Sequence, residues 1–290
     1  MNKTTDTLVD DIYAMMESKD ADPSVDVEAE IEKFGENVKA LMRTEFGRDK
    51  RVDKRTLRLS NVGRTDRFLW NVVNGTKKEK IEPHTYVKFM YGHLVEELLL
   101  FLTRMSGHTV TDEQKQCEVE GIRGSMDCKI DGIVTDVKSA SSFGFKKFKE
   151  GKILRDDPFG YVDQIKAYAY SEGETQIGWL AIDKTVGHLT YLKYDLADPE
   201  FKVDMEFNGT IADRIKYLKE MVKKPEPEAV CHKPKPDGKS GNMQLAMGCS
   251  YCQYKQHCYP NLRLFNYSYQ PKYLCEVVKE PNVQELKLSD

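Results

Sequence analysis

Two carboxylates and an amine fall within one short stretch of this 290-residue chain, at spacings suited to phosphoryl chemistry. Gly124-Ser-Met-Asp127 leads into the dipeptide Asp131-Gly132, and Thr135-Asp136-Val-Lys138 leads out of it. Asp-Gly between two strand-like runs predicts a two-residue hairpin. Such a hairpin returns the residues around Asp136 beside those around Asp127. Carboxylates held close repel, and a divalent cation between them makes the arrangement tolerable. Asp136 and Lys138 are two apart, so they share one face of a strand. A lysine there can orient a water held by the cation, or help remove its proton, for attack on phosphorus. Acid-x-Lys triples occur eight times in the chain. Only the one at Asp136 follows an Asp-Gly turn with an acid on the partner strand; Asp127-Cys-Lys129 overlaps it as a competitor.

The elements that must position these groups follow from periodicity. Pro83 opens a helical pattern over about residues 84–105, with Leu94, Leu98, Phe101, Leu102 and Met105 as its core stripe. Phe89, Gly92, Glu96 and Leu100 lie on a second stripe. Gly92, one turn before Glu96, leaves space beside its carboxylate, so Glu96 is placed to complete a cation site. Strand-like runs cover 108–119, 124–130 and 133–140, followed by a basic segment over 145–155. A helix over about 160–171 carries Gln164 and Tyr168 on one face. Strands over 177–183 and 188–194 and a helix over about 199–223 complete the pattern. The order predicts an α/β (α+β) chain with a mixed β-sheet flanked by helices.

A second constellation lies near the end. Cys249-Ser-Tyr-Cys252 with Cys258 reads C-x2-C-x5-C, and Cys231 precedes Cys249 by eighteen positions. Four thiolates in a sheet-poor tail, where Pro225, Pro227, Pro234 and Pro236 oppose regular structure, predict a soft-metal site. Zinc and an iron–sulfur cluster both accept four sulfurs, and the spacing leaves the choice open. His232 and His257 are read as neighbours of that site.

Composition bounds what surrounds these sites. The net charge of −3 excludes a uniformly basic nucleic-acid binder, while leaving room for a local basic groove. Residues 1–36 hold eleven acids against three bases, and residues 43–67 hold nine bases against four acids. The acidic part reads as a solvated arm or, more sharply, as a partner-docking one. The most apolar run, over 94–102, is interrupted by Glu96 and Glu97, so no membrane span is expected. The first residues lack the apolar centre of a signal peptide, so a cytoplasmic protein without disulfides is expected. Three segments follow: a helical arm over 1–56, acidic then basic; a sheet-bearing core over 57–224; and a cysteine-rich segment over 225–290.

Together these pieces resemble the PD-(D/E)XK nucleases, in particular the RecB-like and phage-type exonuclease branch that includes CRISPR-associated relatives. The matching residues run in the family's order: Gly92-His-Leu-Val-Glu96, Gly124-Ser-Met-Asp127, Asp136-Val-Lys138 and Gln164-Ile-Lys-Ala-Tyr168. Upstream, Ser60-Asn-Val-Gly63 with Arg67 and Trp70 resembles the segment ahead of the nuclease core in phage members. The likeness covers about residues 57–260 and implies a restriction-endonuclease-like core with a metal-stapled C-terminal segment. It implies that Glu96, Asp127, Asp136 and the Val137 carbonyl bind Mg2+ or Mn2+, with Lys138 at the water. Gln164 and Tyr168 would brace the site or touch the DNA backbone. Many RecB-type members carry histidine where Glu96 aligns, and His93 is nearby. Members with a terminal C-x2-C-x5-C commonly hold a [4Fe-4S] cluster whose fourth cysteine lies far upstream. Here no cysteine precedes Cys117 and Asp66 stands near the expected place, so Cys231 is the fourth ligand and structural Zn2+ stays open.

The leading expectation is a phage-like, metal-dependent DNA exonuclease serving recombination, repair or replication, alongside recombination or replication proteins. Arg58, Ser60, Arg64, Arg67, Lys146 and Lys147 are the expected DNA contacts, with aromatic side chains stacking on bases. The alternatives are an inactive iron–sulfur or zinc DNA-binding adaptor, and a zinc-stabilised structural module.

Overall fold

The computed structural model describes residues 3–47, 55–198, 201 and 209–288. The basic residues Arg48, Lys50, Arg51 and Lys54 lie outside the described residues, as do 199, 200 and 202–208, which belong to the first half of the helix expected over 199–223.

The acidic N-terminal segment is docked, and this corrects the expectation of a solvated arm. Helix α1 (Leu8–Ser18) sends Leu8 and Ile12 fully into the core. Each such burial stabilises by roughly 1.5–3 kcal/mol, enough to outweigh mild like-charge repulsion along the helix. Lys3 bridges Asp11 and Asp22 at 3.7 and 3.3 Å. The buried His108 joins Asp11 (3.0 Å) to Asp131 (2.7 Å), tying α1 to the turn of the hairpin. Helix α2 (Val27–Phe46) is capped by Asp26, whose side chain accepts from the Ala29 N–H.

Helix α3 (Asp66–Asn74) ends at Gly75 in the left-handed conformation. Helix α4 (Pro83–Met105) begins with proline in its first turn. Its fully buried residues are Val95, Leu99, Leu100, Thr103 and Arg104, whereas Leu98 is exposed. The expected core stripe is therefore rotated. The helix is covered on two sides: Val95, Leu99 and Leu100 meet the sheet, while Phe101 stacks on Phe34 of α2 at 5.1 Å. Arg104 reaches Glu30 of α2 (2.5 Å) and Glu113 (3.1 Å).

The two strand-like runs before the Asp-Gly turn are each broken. Strand β1 (Val110–Thr111) separates from β2 (Gln116–Val119), and β3 (Ile122–Ser125) separates from β4 (Cys128–Ile130). β2 and β3 form their own two-stranded ribbon. The break at Met126-Asp127 has a physical cause: Met126 is fully buried, while the Asp127 carbonyl accepts from the Gln114 N–H. The Asp-Gly turn into β5 (Ile133–Ala140) forms as its residues demand. Asp131 (φ 48°) and Gly132 (φ 85°) are both positive, the type I′ combination. Cys128 lies opposite Thr135 and Ile130 opposite Ile133.

Helix α5 (Ser142–Lys149) and helix α6 (Tyr161–Glu172) lie between β5 and its parallel neighbour β6 (Gln176–Asp183), and β7 (Leu189–Asp195) pairs antiparallel to β6. The mixed sheet runs β1-β4-β5-β6-β7. Cys128, Ile130, Val137 and Leu180 pack with α1 and α4, while Val134, Ile177 and Trp179 pack with the buried residues of α5 and α6. Helices thus cover both faces of a mixed α/β sheet, and β5 is mostly buried, as suits a central strand. Helix α7 (Ile211–Met221) packs beside α6 and has a Thr210–Asp213 capping box.

The tail is not sheet-poor. β8 (Lys235–Pro236), β9 (Met243–Gln244), β10 (Arg263–Asn266), β11 (Pro271–Glu276) and β12 (Glu285–Leu286) form a second sheet, ordered β12-β10-β11-β9-β8. Between β9 and β10 lie two short helices, α8 (Met247–Ser250) and α9 (Lys255–Cys258). Proline opens β11 and ends β8, positions where the missing N–H is tolerated.

Candidate functional site

The hairpin and α6 bring four of the sequence-predicted residues together. Asp136 is 1% exposed, and its Oδ1 accepts from Lys138 Nζ at 2.8 Å and from Gln164 Nε2 at 3.2 Å. Lys138 Nζ lies 4.0 Å from Asp127 Oδ2, and the Val137 N–H donates to that same oxygen at 2.9 Å. Asp127 sits at the mouth of the hairpin, one step beyond the Cys128–Thr135 pair, so its carboxylate crosses to the β5 backbone. Alternation places Val137 in the core beneath α4 and turns Asp136 and Lys138 to the other side.

Glu96 approaches from α4. It is half-exposed, 3.5 Å from His93 Nδ1, and near enough for its charge to raise the pKa of Lys138. A β-carbon on Gly92 would meet Ser139 Oγ of β5 at 3.5 Å, an ordinary contact. Gly92 therefore marks where α4 crosses β5, and the space it leaves is not essential. Tyr168 is 1% exposed inside the core, with its hydroxyl buried and without a hydrogen bond. It braces α6 from behind, and no DNA backbone reaches it as placed.

The electrostatics are those of buried like charges. Burial, reinforced by Asp127 and opposed by Lys138, pushes the Asp136 carboxyl up to about 8. Burial works against the Lys138 ammonium, but Asp136, Asp127 and Glu96 outweigh it and hold its pKa above the usual lysine range. A carboxyl raised on folding binds its proton more tightly in the folded than in the unfolded chain. Its contribution to stability is full below the unfolded pKa near 4 and is lost as pH climbs through about 8. In chelator-treated protein, the melting temperature is expected to fall between pH 5 and pH 8, and Asp136→Asn to flatten that slope. Melts across the pH range with and without added Mg2+ measure it.

Among the described residues, no group of three or more His, Cys, Asp or Glu side chains is arranged to hold a metal ion as it stands. At the hairpin the reason is visible: Lys138 and the Val137 N–H already occupy Asp136 Oδ1 and Asp127 Oδ2. Asp136 Oδ2 is different, buried with no donor from the chain and with the Asp127 carboxyl beside it. A buried carboxylate oxygen without a donor is costly unless a cation meets it. The donors are hard oxygens, so the residues fit Mg2+ or Mn2+.

The residues expected at DNA divide. Arg58 and Ser60 are exposed around the short 3-10 helix Leu59–Asn61, and Lys146 is exposed on α5. Arg64 lies with its guanidinium over Phe68 (4.1 Å) and Phe159 (5.6 Å). Arg67 and Lys147 are corrections. Arg67 binds Glu226 (2.9 Å) and the Glu228 carbonyl (2.9 Å), and lies beside Cys258. Lys147 is buried against Asp156 at 2.7 Å. Both are committed to protein partners.

Four thiols converge in the tail. Cys249 and Cys252 are buried and Cys231 and Cys258 half-buried, close enough that each raises the pKa of others. Burial, then the neighbouring cysteines, pushes Cys249 up to about 12. Burial pushes Cys252 up to about 11. Asp66 is not part of this group: it binds Arg214 (2.9 Å) and Tyr217. His257 pairs with Glu226 at 3.0 Å. The four soft donors suit zinc or an iron–sulfur cluster by their chemistry, although as they stand they are not arranged around one ion.

Sequence reasoning missed two residues. Lys138 Nζ stands 5.2 Å from the centroid of the Tyr161 ring. Tyr161 lies three positions before Gln164, and this i,i+3 relation was the available signal. Asp157, largely buried, accepts from the N–H groups of Phe159, Gly160 and Val162 and so fixes the start of α6. Gly63 and Gly160 cross there; a β-carbon on either would come within 2.3 Å of the other's backbone.

No family profile and no curated protein matches this sequence. Several solved structures align weakly with the chain. An alkaline exonuclease (LHK-Exo) from Laribacter hongkongensis aligns over 58% of this chain and 84% of its own, at 15% identity and a TM-score of 0.36. The same exonuclease in complex with dAMP aligns over 59% and 91%, at 14% identity and TM-score 0.36. The protein SSO0001 aligns over 77% and 95%, at 12% identity and TM-score 0.40. Scores this low carry no assignment of function. No described helix is long and apolar enough to cross a membrane.

Proposed function

We propose that this chain is a metal-dependent DNA nuclease, acting as an exonuclease on DNA ends in recombination, repair or replication. The observation that carries the reading is the buried Asp136: one oxygen is held by Lys138 and Gln164, the other has no donor from the chain, and Asp127 stands alongside. A purely structural hairpin gains nothing from such a group, because a buried charge pair is at best neutral against apolar packing. Glu96, Asp127, Asp136 and the Val137 carbonyl are the proposed ligands of Mg2+ or Mn2+. That cation supplies Lewis acidity at the phosphodiester and acidifies a coordinated water.

The chain's own residues set the geometry. Asp136, gripped by Gln164 from α6, is fixed relative to the helix and the strand together. Lys138, kept protonated by three carboxylates, is suited to orient the attacking water and offset charge developing on the phosphoryl oxygens. The Tyr161 ring holds the ammonium in place by a cation–π contact. In the tail, Cys231, Cys249, Cys252 and Cys258 are the proposed ligands of a [4Fe-4S] cluster, with Zn2+ the competing occupant.

The test is incubation of the purified chain with end-labelled DNA, with Mg2+ or with chelator. Release of nucleotides from the end only with Mg2+ is the expected result. Binding without hydrolysis under every divalent ion tried would replace the nuclease with the adaptor reading.

A further inference from the structure

A row of aromatic rings connects the cysteine segment with the candidate hydrolytic site. Tyr251, inside the C-x2-C loop, is 70% exposed, and its ring centroid is 6.3 Å from that of Phe159. Phe159 is 5.7 Å from Tyr161, and Tyr161 faces Lys138 Nζ at 5.2 Å. Phe159 and Tyr161 are half-buried, so the row descends from open surface to the site. The Arg64 guanidinium lies between Phe68 and Phe159, and no carboxylate pairs with it among the described residues. Folding alone gives no reason for a tyrosine this exposed beside a stacked arginine.

We infer that Tyr251, Phe159, Tyr161 and Arg64 form a ledge on which an unpaired DNA strand lies as it enters the site. Rings offer π-faces to successive bases without regard to sequence, and a guanidinium plane offers both stacking and a cation for the phosphates. The Arg64 guanidinium lies along the row, which suits a polyanion and disfavours a cationic partner, while Lys138 at the inner end is paired with Asp136. Base-paired DNA has no free base faces along its length, so the ledge selects a single-stranded end. The inference deepens the nuclease reading by naming the form of substrate, and it rests on that reading for the word "entry" alone.

The experiment measures binding of the full chain, by fluorescence anisotropy without added divalent ions, to a labelled single-stranded oligonucleotide and to a blunt duplex of equal length. Tyr251→Ala is expected to weaken single-strand binding by about 10-fold, with duplex binding within about 2-fold of wild type. Tyr251→Leu, which keeps apolar bulk without a π-face, is expected to behave like alanine, and Tyr251→Trp like wild type. Matching thermal melts establish that the variants are folded. Unchanged single-strand binding in the alanine and leucine variants overturns the ledge, as does equal weakening on the blunt duplex. Hydrolysis plays no part in this readout. A wild-type chain that binds through Tyr251 yet never cleaves DNA would sink the nuclease reading and leave the ledge standing.

Discussion

Asp136→Asn is expected to lower the rate of DNA hydrolysis by at least about 1,000-fold while leaving the protein folded. The side chain is isosteric, and its carboxamide can still accept from Lys138 and Gln164 through its oxygen. What it loses is the charge that meets a cation. Without divalent ions burial keeps the native carboxyl protonated below about pH 8, so there the neutral variant is expected to melt close to the wild-type temperature. Lys138→Met is the less clean companion. It removes the ammonium from Asp136 Oδ1, and leaving one member of a buried pair alone costs about 3–5 kcal/mol. Loss of activity with little change in melting temperature below about pH 8 in Asp136→Asn separates chemistry from folding. Retention of activity in the purified variant would remove Asp136 from the site. Single-turnover cleavage together with thermal melts reads both quantities.

The second large effect lies in the tail. Cys249→Ser is expected to lower the melting temperature by roughly 10 °C or more and to release the bound metal, because metal affinity at a four-sulfur site is folding free energy. The C-terminal segment has a small core, in which Leu245, Leu262, Phe265 and Leu274 are buried beside Cys249, so a bound metal would carry much of its stability. Arg67 extends the effect to the core, since it joins α3 to Glu226 and lies against Cys258. Metal analysis and the visible spectrum of wild type decide the occupant. A brown protein with four irons per chain is expected, and a colourless one with stoichiometric zinc would favour zinc. Cys275→Ser, outside the proposed four, is expected to keep its metal.

What the sequence disclosed is what short-range chemistry dictates. Asp131-Gly132 fixed the turn because both positions need positive φ, and strand alternation then put Asp136 and Lys138 on one side. Gln164 was found because a helix brings i and i+4 to one face; of the two roles given to Tyr168, bracing the site and touching DNA, its burial suits only the first. The break at Met126-Asp127 was hidden, since an apolar run looks the same whether it forms one strand or two. The orientation of α4 was hidden as well: a helix covered on two sides has no single stripe, and α2 and the sheet compete for it. The docking of α1 was masked by its acids, because net charge says nothing about Leu8 and Ile12 beneath. Arg67 and Lys147 were read as DNA contacts because sequence shows a charge and not the acid or carbonyl that claims it.

The proposed sharing of one divalent ion by Glu96, Asp127 and Asp136 beside Lys138 is tested most directly by titration with Mn2+ followed by electron paramagnetic resonance. One bound Mn2+ per wild-type chain at the hairpin is predicted, lost in Asp136→Asn and weakened in Glu96→Gln. Identical Mn2+ binding by wild type and Asp136→Asn, or no bound ion at millimolar Mn2+, would contradict it.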